Sequence, residues 1–124
     1  MSQHHVIIAL GANTDSEKNI ERANRKISTI LSNIRLSHTL WTTPIGIKSN
    51  RFLNQVIMGQ TTLSLQELEV CLKEIEKAQG RTEEESRQGI IRIDIDILQF
   101  DSETLHIEDW SRDYIKKLMK EIRE

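Results

Sequence analysis

Residues 89–98 read Gly-Ile-Ile-Arg-Ile-Asp-Ile-Asp-Ile-Leu, and this stretch predicts the centre of the fold. From Ile91 to Leu98 apolar residues alternate with other residues, which is typical of a β-strand with two different faces. One face is entirely isoleucine, and we expect it to lie against a core. The opposite face carries one arginine and two aspartates: Arg92, Asp94 and Asp96.

Asp94 and Asp96 form a candidate metal site. Residues two positions apart on a strand lie roughly 6.6 Å apart and face the same side. Two carboxylates in this arrangement can hold magnesium, with phosphate oxygens as further ligands. A solvent-exposed strand face explains the stretch equally well by itself. The metal interpretation is favoured because aspartate is uncommon in strands and two neighbouring aspartates repel each other.

Length and composition exclude several classes of protein. The chain has 124 residues and a formal net charge of -2, which suits one domain with a modest core. Few aromatic residues and no basic excess argue against nucleic-acid binding. No apolar run approaches the roughly 20 residues of a membrane helix, and residues 1–9 lack the pattern of a secretory signal. A single cysteine, Cys71, excludes an internal disulfide framework. We therefore expect a cytoplasmic protein without a nucleic acid or membrane partner.

Hydrophobic periodicity and turn residues predict seven main elements. They are a strand at 6–10, a helix whose apolar stripe runs from Ile20 to Ile34, strands at 35–43 and 52–63, a helix from Leu65 to Gln79, the strand at 91–98 and a C-terminal helix. The capping box Ser64–Glu67 marks the start of the second helix, and Gly80 is its expected C-cap. Residues 105–107 are predicted as a short return strand, and the charged segment 81–88 as a mobile loop.

The order strand, helix, strand, strand, helix, strand, helix predicts an α+β fold of the ferredoxin-like type, built from split βαβ units. We expect a mainly antiparallel sheet with the helices on one face. Asp94 and Asp96 would then lie on the other face of the sheet.

Several short motifs add a more specific interpretation. The most specific is Asp94-Ile95-Asp96 after Gly80-Arg81 and a charged loop. Weaker motifs in a consistent order are Ala9-Leu10-Gly11-Ala12-Asn13, Thr43-Pro44-Ile45-Gly46, Phe52-Leu53-Asn54 and Glu74-Ile75-Glu76. Together these residues resemble the 6-hydroxymethyl-7,8-dihydropterin pyrophosphokinase family of folate biosynthesis. The resemblance covers about residues 6–101.

That family transfers a pyrophosphoryl group from ATP to the hydroxymethyl group of a pterin and uses two Mg²⁺ ions. The resemblance implies that Asp94 and Asp96 are metal ligands and that they act in catalysis together with Arg81. It also implies a pterin pocket formed by Thr43, Pro44, Ile45, Phe52 and Asn54, and nucleotide contacts from Glu76, Arg87 and Arg92. Taken without the family pattern, these residues have ordinary alternatives as turn, core and strand-end positions.

The chain also departs from the family pattern. The family reads Gly-Pro-Arg-Thr before its aspartates, whereas residues 89–92 place the arginine one position later, at Arg92. On a regular strand Arg92 would share a face with Asp94 and Asp96 and could neutralise them in place of a metal. The loop carries three consecutive glutamates at 83–85, which would oppose ATP binding. No residue after Asp101 matches the Pro-His segment or the downstream Arg and Phe of the family.

We therefore expect a single pyrophosphokinase-like domain over residues 1–124 that lacks the family's C-terminal nucleotide-binding segment. The expected activity is pyrophosphoryl transfer from ATP to 6-hydroxymethyl-7,8-dihydropterin, with Mg²⁺ as cofactor. The alternative is a catalytically degenerate homologue that acts as a pterin-binding, nucleotide-binding or protein-interaction module. A homodimer is compatible with either interpretation.

Overall fold

The computed structural model describes residues 3–44 and 50–123, which form a six-stranded sheet with five helices. The strands are β1 (His4–Ala12), β2 (Ser32–Leu36), β3 (Leu40–Thr42), β4 (Phe52–Thr61), β5 (Asp94–Phe100) and β6 (Glu103–Thr104). The helices are α1 (Ser16–Ile27), α2 (Leu65–Ala78), α3 (Glu83–Arg87), α4 (Ile107–Trp110) and α5 (Asp113–Arg123). In these ranges no helix has both the length and the apolar character needed to cross a membrane.

The strand order confirms the predicted fold class. The order is β2-β4-β1-β5-β6, β3 also pairs with β4, and every ladder is antiparallel. β4 lies between β1 and β2, and β1 lies between β4 and β5. Each βαβ unit is therefore split by a strand of the other unit, which is the ferredoxin-like arrangement.

The first face of the sheet is covered by α1 and α2. The isoleucine face of β5 contributes as predicted, since Ile93, Ile95 and Ile97 are buried. They pack with alternate residues of β1 and β4 and with the apolar stripes of the two helices. Prominent members of this core are Val6, Ile8, Leu10, Ile20, Ile27, Ile57, Leu68 and Leu72.

The second face is partly covered by α5, so the expectation that all helices lie on one face was wrong. The apolar stripe of α5 consists of Ile115, Leu118, Met119 and Ile122, and it packs on an apolar row of the sheet formed by Ile7, Val56 and Leu98. A strongly amphipathic helix needs an apolar partner, and the first face was already occupied by α1 and α2.

Two of the predicted boundaries before β4 were also wrong. α1 ends at Ile27 rather than continuing to Ile34. In the turn that follows, Thr29 N and Ile30 N donate to carbonyl oxygens three residues back, and the hydroxyls of Ser28 and Thr29 also donate to carbonyl oxygens of the last turn. Ile34 lies on β2 instead. The strand predicted at 35–43 is divided into β2 and β3. Ser37 interrupts it, since its Oγ accepts from Val56 N while its own N donates to Val56 O.

The caps of α2 are confirmed. Ser64 and Glu67 form both hydrogen bonds of the capping box. Gly80 has φ +96°, and Arg81 N donates to Glu76 O as in a Schellman motif. The following loop contains the short helix α3, capped by Thr82. The return strand lies at 103–104 rather than 105–107, and Ile107 begins α4.

Candidate active site

The second face of the sheet holds a cavity of about 840 Å³ beside the part that α5 covers. Small residues of β1 line its sheet side, and segments before β4, at the start of β5 and after β6 form the walls. The residues that line it include Ala9, Gly11, Thr42, Thr43, Pro44, Phe52, Asn54, Asp94, Asp96, Asp109, Arg112 and Tyr114. Residues expected to bind the pterin and residues expected to bind metal therefore share one cavity.

The wall of the cavity next to β4 is held by Asn54. Its Nδ2 lies 2.8 Å from Thr42 Oγ1 and 3.1 Å from Leu40 O, so the buried amide ties β3 to β4. Thr43 and Pro44 follow β3, and Phe52 begins β4. Ile45, the remaining residue predicted for the pterin pocket, lies outside the described residues.

The wall formed by β5 is acidic. Asp94 and Asp96 both line the cavity, as the alternation of the strand predicts. Burial, and after it the nearby charge of Asp94, raises the pKa of Asp96 from 3.8 to about 8. The second carboxylate is thus held in a place where its negative charge is poorly compensated, which is a condition that a bound cation relieves.

Magnesium fits this donor set. No group of three or more His, Cys, Asp or Glu side chains suited to a metal occurs within residues 3–44 and 50–123. Mg²⁺ does not need such a group, because it is usually held by one or two carboxylates together with waters and substrate phosphates. Two hard oxygen donors beside a cavity match that requirement.

Arg81 contacts the acidic wall directly. Its Nη1 lies 2.7 Å from Asp94 Oδ1 and 3.1 Å from Glu76 Oε2. Glu76 Oε2 also accepts from Ile95 N at 2.7 Å, at an edge of β5 that β6 does not reach. Burial raises the pKa of Glu76. Glu76 therefore holds Arg81 and the start of β5 together.

Arg81 also lines a second cavity of about 480 Å³ on the α2 side. Glu76 and Arg87, both predicted to contact the nucleotide, line it as well. α2 contributes Lys73 and Lys77, which were not predicted from the sequence. Their four-residue spacing could have indicated this, because it places two lysines on the same side of a helix. This second cavity is mainly basic, in contrast to the first.

Arg92 does not neutralise the aspartates, and this expectation was wrong. β5 begins at Asp94, so the strict alternation does not extend back to Arg92. Arg92 Nε and Nη2 instead donate to the two carboxylate oxygens of Glu85, at 2.8 and 3.0 Å. One of the three glutamates of α3 is therefore paired within the protein rather than directed at a nucleotide.

Three residues after Asp101 lie at the site and were not predicted from the sequence. Arg112 and Tyr114 line the first cavity, and His106 Nε2 lies 3.9 Å from Asp96 Oδ1. Burial, followed by the charge of Asp109, raises the pKa of the Tyr114 hydroxyl. The available signal was that a histidine, an arginine and an aromatic residue follow Asp101 in the order expected for the family. Leu105 rather than proline precedes the histidine, and the aromatic residue is Tyr114 rather than phenylalanine, so the sequence alone did not single them out.

Comparisons with known proteins identify a family. Residues 7–124 match the family model of 7,8-dihydro-6-hydroxymethylpterin-pyrophosphokinase (HPPK). The folate synthesis bifunctional protein of Arabidopsis thaliana is 34% identical over 121 residues, covering 89% of this chain and 25% of that relative. The chain thus spans about a quarter of the length of this curated relative. The family match continues to residue 124, beyond the residue 101 at which the expected resemblance ended.

Proposed function

The chain belongs to the 7,8-dihydro-6-hydroxymethylpterin-pyrophosphokinase family, and from this premise we propose that it transfers a pyrophosphoryl group from ATP to 6-hydroxymethyl-7,8-dihydropterin in folate biosynthesis. The observation that carries the proposal is the shared cavity, in which Phe52 and Asn54 lie on one wall and Asp94 and Asp96 on another. This arrangement supports a reaction in which a flat ring bound at the first wall lies next to a phosphate chain bound at the second.

In the proposed reaction, the hydroxymethyl oxygen of the pterin attacks the β-phosphorus of ATP. A new oxygen–phosphorus bond forms, and the bond between the β-phosphorus and the oxygen bridging to the α-phosphorus breaks. AMP leaves with that bridging oxygen, and the hydroxyl proton is released. The protein has little covalent chemistry to perform in such a transfer, so positioning and charge neutralisation dominate the rate.

The pterin would lie against the β4 wall. Phe52 offers an aromatic face for stacking, and Tyr114 lines the same cavity from α5. Thr43 and Pro44 bound the cavity near these rings. Asn54 would bind an edge of the ring with polar atoms, while its Nδ2 contacts to Thr42 and Leu40 keep the wall in shape.

The phosphate chain would lie against the acidic and basic walls. Asp94 and Asp96 would hold Mg²⁺, which supplies charge neutralisation of the phosphate oxygens when bound. Arg81 touches Asp94 and also lines the basic cavity. Lys73, Lys77 and Arg87 add positive charge there for the nucleotide. Arg81 would thus orient a phosphate group bound between the two cavities.

Calorimetric titration with a non-hydrolysable ATP analogue tests the nucleotide part of the proposal. Binding is expected to require Mg²⁺ and to strengthen when the pterin is present. A following assay of ATP with the pterin should then yield AMP in step with pterin consumption. Pterin binding without nucleotide binding would contradict the kinase proposal and favour a degenerate homologue. No binding of either ligand would favour an interaction module.

The proposal also covers the domain organisation, the cellular compartment and the oligomeric state. We propose that residues 1–124 act as one pyrophosphokinase-like domain, that the protein works in the cytoplasm and that it can form a homodimer. Sedimentation analysis with and without substrates tests the last of these. A monomer under both conditions would contradict the dimer and leave the activity unaffected.

A further inference from the structure

Asn13, at the end of β1, makes an unusual number of contacts to the segment that leads into β5. Its Nδ2 donates to Gly89 O at 2.7 Å, and its Oδ1 accepts from Ile91 N at 2.7 Å. Its own backbone N donates to Ile91 O at 2.9 Å. Both backbone groups of Ile91 are thus bonded to Asn13, which is only 4% exposed.

These contacts hold residues 89–91 beside the end of β1, where the ladder between β1 and β5 no longer does so. The ladder between β1 and β5 ends at the pair Gly11 and Asp94, and Gly89 has φ +81°, so the chain turns before the strand begins. The Asn13 amide, which carries both a donor and an acceptor, binds the turning segment as another peptide group would. Removing it would leave the partly buried Ile91 N–H and Gly89 C=O without their partner.

Asn13 also reaches the other side of the site. Asn50 Nδ2 lies 3.4 Å from Asn13 O, and Asn50 precedes Phe52 by only two residues. One buried residue therefore contacts the chain on the pterin side and the chain on the phosphate side. It touches neither Asp94 nor Phe52 directly, and it does not line either cavity.

We propose that Asn13 is a positioning residue for pyrophosphoryl transfer, which rests on the proposed function. It sets the path of residues 89–91 and thereby the placement of Asp94 and of the neighbouring Arg81 guanidinium relative to the pterin wall. The clamp between Arg92 and Glu85 closes the same segment on its other side. A displaced carboxylate lowers the rate even where the substrate still binds, because transfer depends on alignment.

The test compares Asn13→Ala and Asn13→Asp with Thr61→Val. Thr61 is also buried, and its hydroxyl donates to Ile30 O and accepts from Leu63 N at the far end of β4. All three variants thus lose hydrogen bonds made by a buried side chain, and only the Asn13 variants affect the segment 89–91. We expect Asn13→Ala to lower kcat about hundredfold with a much smaller change in the KM of the pterin. Asn13→Asp keeps the acceptor for Ile91 and should fall between Asn13→Ala and wild type. Thr61→Val should lose stability and keep kcat.

A kcat of Asn13→Ala equal to that of Thr61→Val would overturn the proposal. Hydrogen exchange of the wild-type Ile91 amide provides a test if Asn13→Ala does not fold. Strong protection is expected, and exchange at the rate of an unfolded chain would remove the anchor on which the proposal depends. An inactive wild-type protein with a protected Ile91 amide would count against the proposed function while preserving the anchor.

Discussion

The second face of the sheet has two halves that lie on the same three strands and differ completely in chemistry. In one half Ile7, Val56 and Leu98 pack under α5 and exclude water. In the other half Gly11 and Asn54, with the β5 aspartates, line a cavity. On each of the three strands, the apolar residue and the cavity-lining residue are only a few positions apart.

The comparison shows how one sheet face provides both stability and a site. α5 binds where the strands offer large apolar side chains, and it leaves a cavity where β1 offers Ala9 and Gly11. The first turn of the same helix brings Tyr114 to the edge of that cavity. The apolar half thus supports the position of Tyr114 beside the cavity of the polar half. Substitutions in the two halves should therefore have different effects.

The largest effect is expected from the polar half. If the proposed function holds, Asp94→Asn and Asp96→Asn should each abolish Mg²⁺-dependent nucleotide binding and lower turnover by about a thousandfold, because each removes a proposed metal donor. Titration calorimetry and the AMP assay measure this. Asp101→Asn is a matched control, since it removes the same charge just beyond the far end of β5. Unchanged nucleotide affinity in both site variants would rule out the metal role.

A different result is expected in the apolar half. Leu118→Ala should lower the free energy of unfolding by about 2–5 kcal/mol, because it removes a buried side chain and leaves a cavity. Urea unfolding measures it, and Lys117→Ala on the exposed side of α5 is the control, with a change of at most about 0.5 kcal/mol. A severe loss of kcat in molecules of Leu118→Ala that remain folded would show that the two halves are not separable.

A smaller effect is expected where the pterin ring would stack. Phe52→Ala should weaken pterin binding about tenfold, in line with the ~0.5–1.5 kcal/mol of an aromatic contact. Phe52→Tyr keeps the ring and should bind the pterin nearly as wild type does. Fluorescence titration with the pterin measures both variants. Equal affinities of wild type and Phe52→Ala would move the pterin away from this wall.

The smallest effect concerns the pH dependence of the metal-free protein. The pKa of Asp96 is raised to about 8, so this group lowers stability as pH rises from about 4 to about 8. The pKa of Asp101 is lowered by hydrogen bonds from His4 and the His5 amide, so its contribution is lost as pH falls below about 4. Asp96→Asn should therefore flatten the alkaline side of the profile, and Asp101→Asn the acid side. Urea unfolding with a chelator between pH 3 and 9 measures both, and identical profiles for the two variants would contradict the assignment.

Much of the fold could be predicted because its signals are local. The isoleucine face of β5, the capping box at Ser64 and the C-cap at Gly80 depend on residues within a few positions of each other. The prediction of a helix through Ile34 was wrong because it also depended on a local signal. An apolar stripe does not show where a helix stops, and α1 ends in a tightened turn after Ile27 although apolar residues continue at helical spacing.

The site was predictable only in part. Asp94 and Asp96 share the cavity because strand alternation fixes a common side. The partner of Arg92 was not predictable, since β5 begins two residues later than Arg92 and the guanidinium turns to Glu85. The position of Arg112 and Tyr114 at the cavity was not predictable either, because it depends on where α5 packs.

The sequence by itself determined which residues alternate, which helices are amphipathic and which residues could bind magnesium, because these properties follow from side-chain chemistry and short spacing. Only the tertiary structure decided which residues meet. The register of β1 with both β4 and β5 brings Phe52 and Asn54 to Asp94 and Asp96. The apolar half of the second face then determines where α5 packs and how the cavity is closed. Both depend on contacts between residues far apart in the chain, where the burial of apolar surface selects one arrangement.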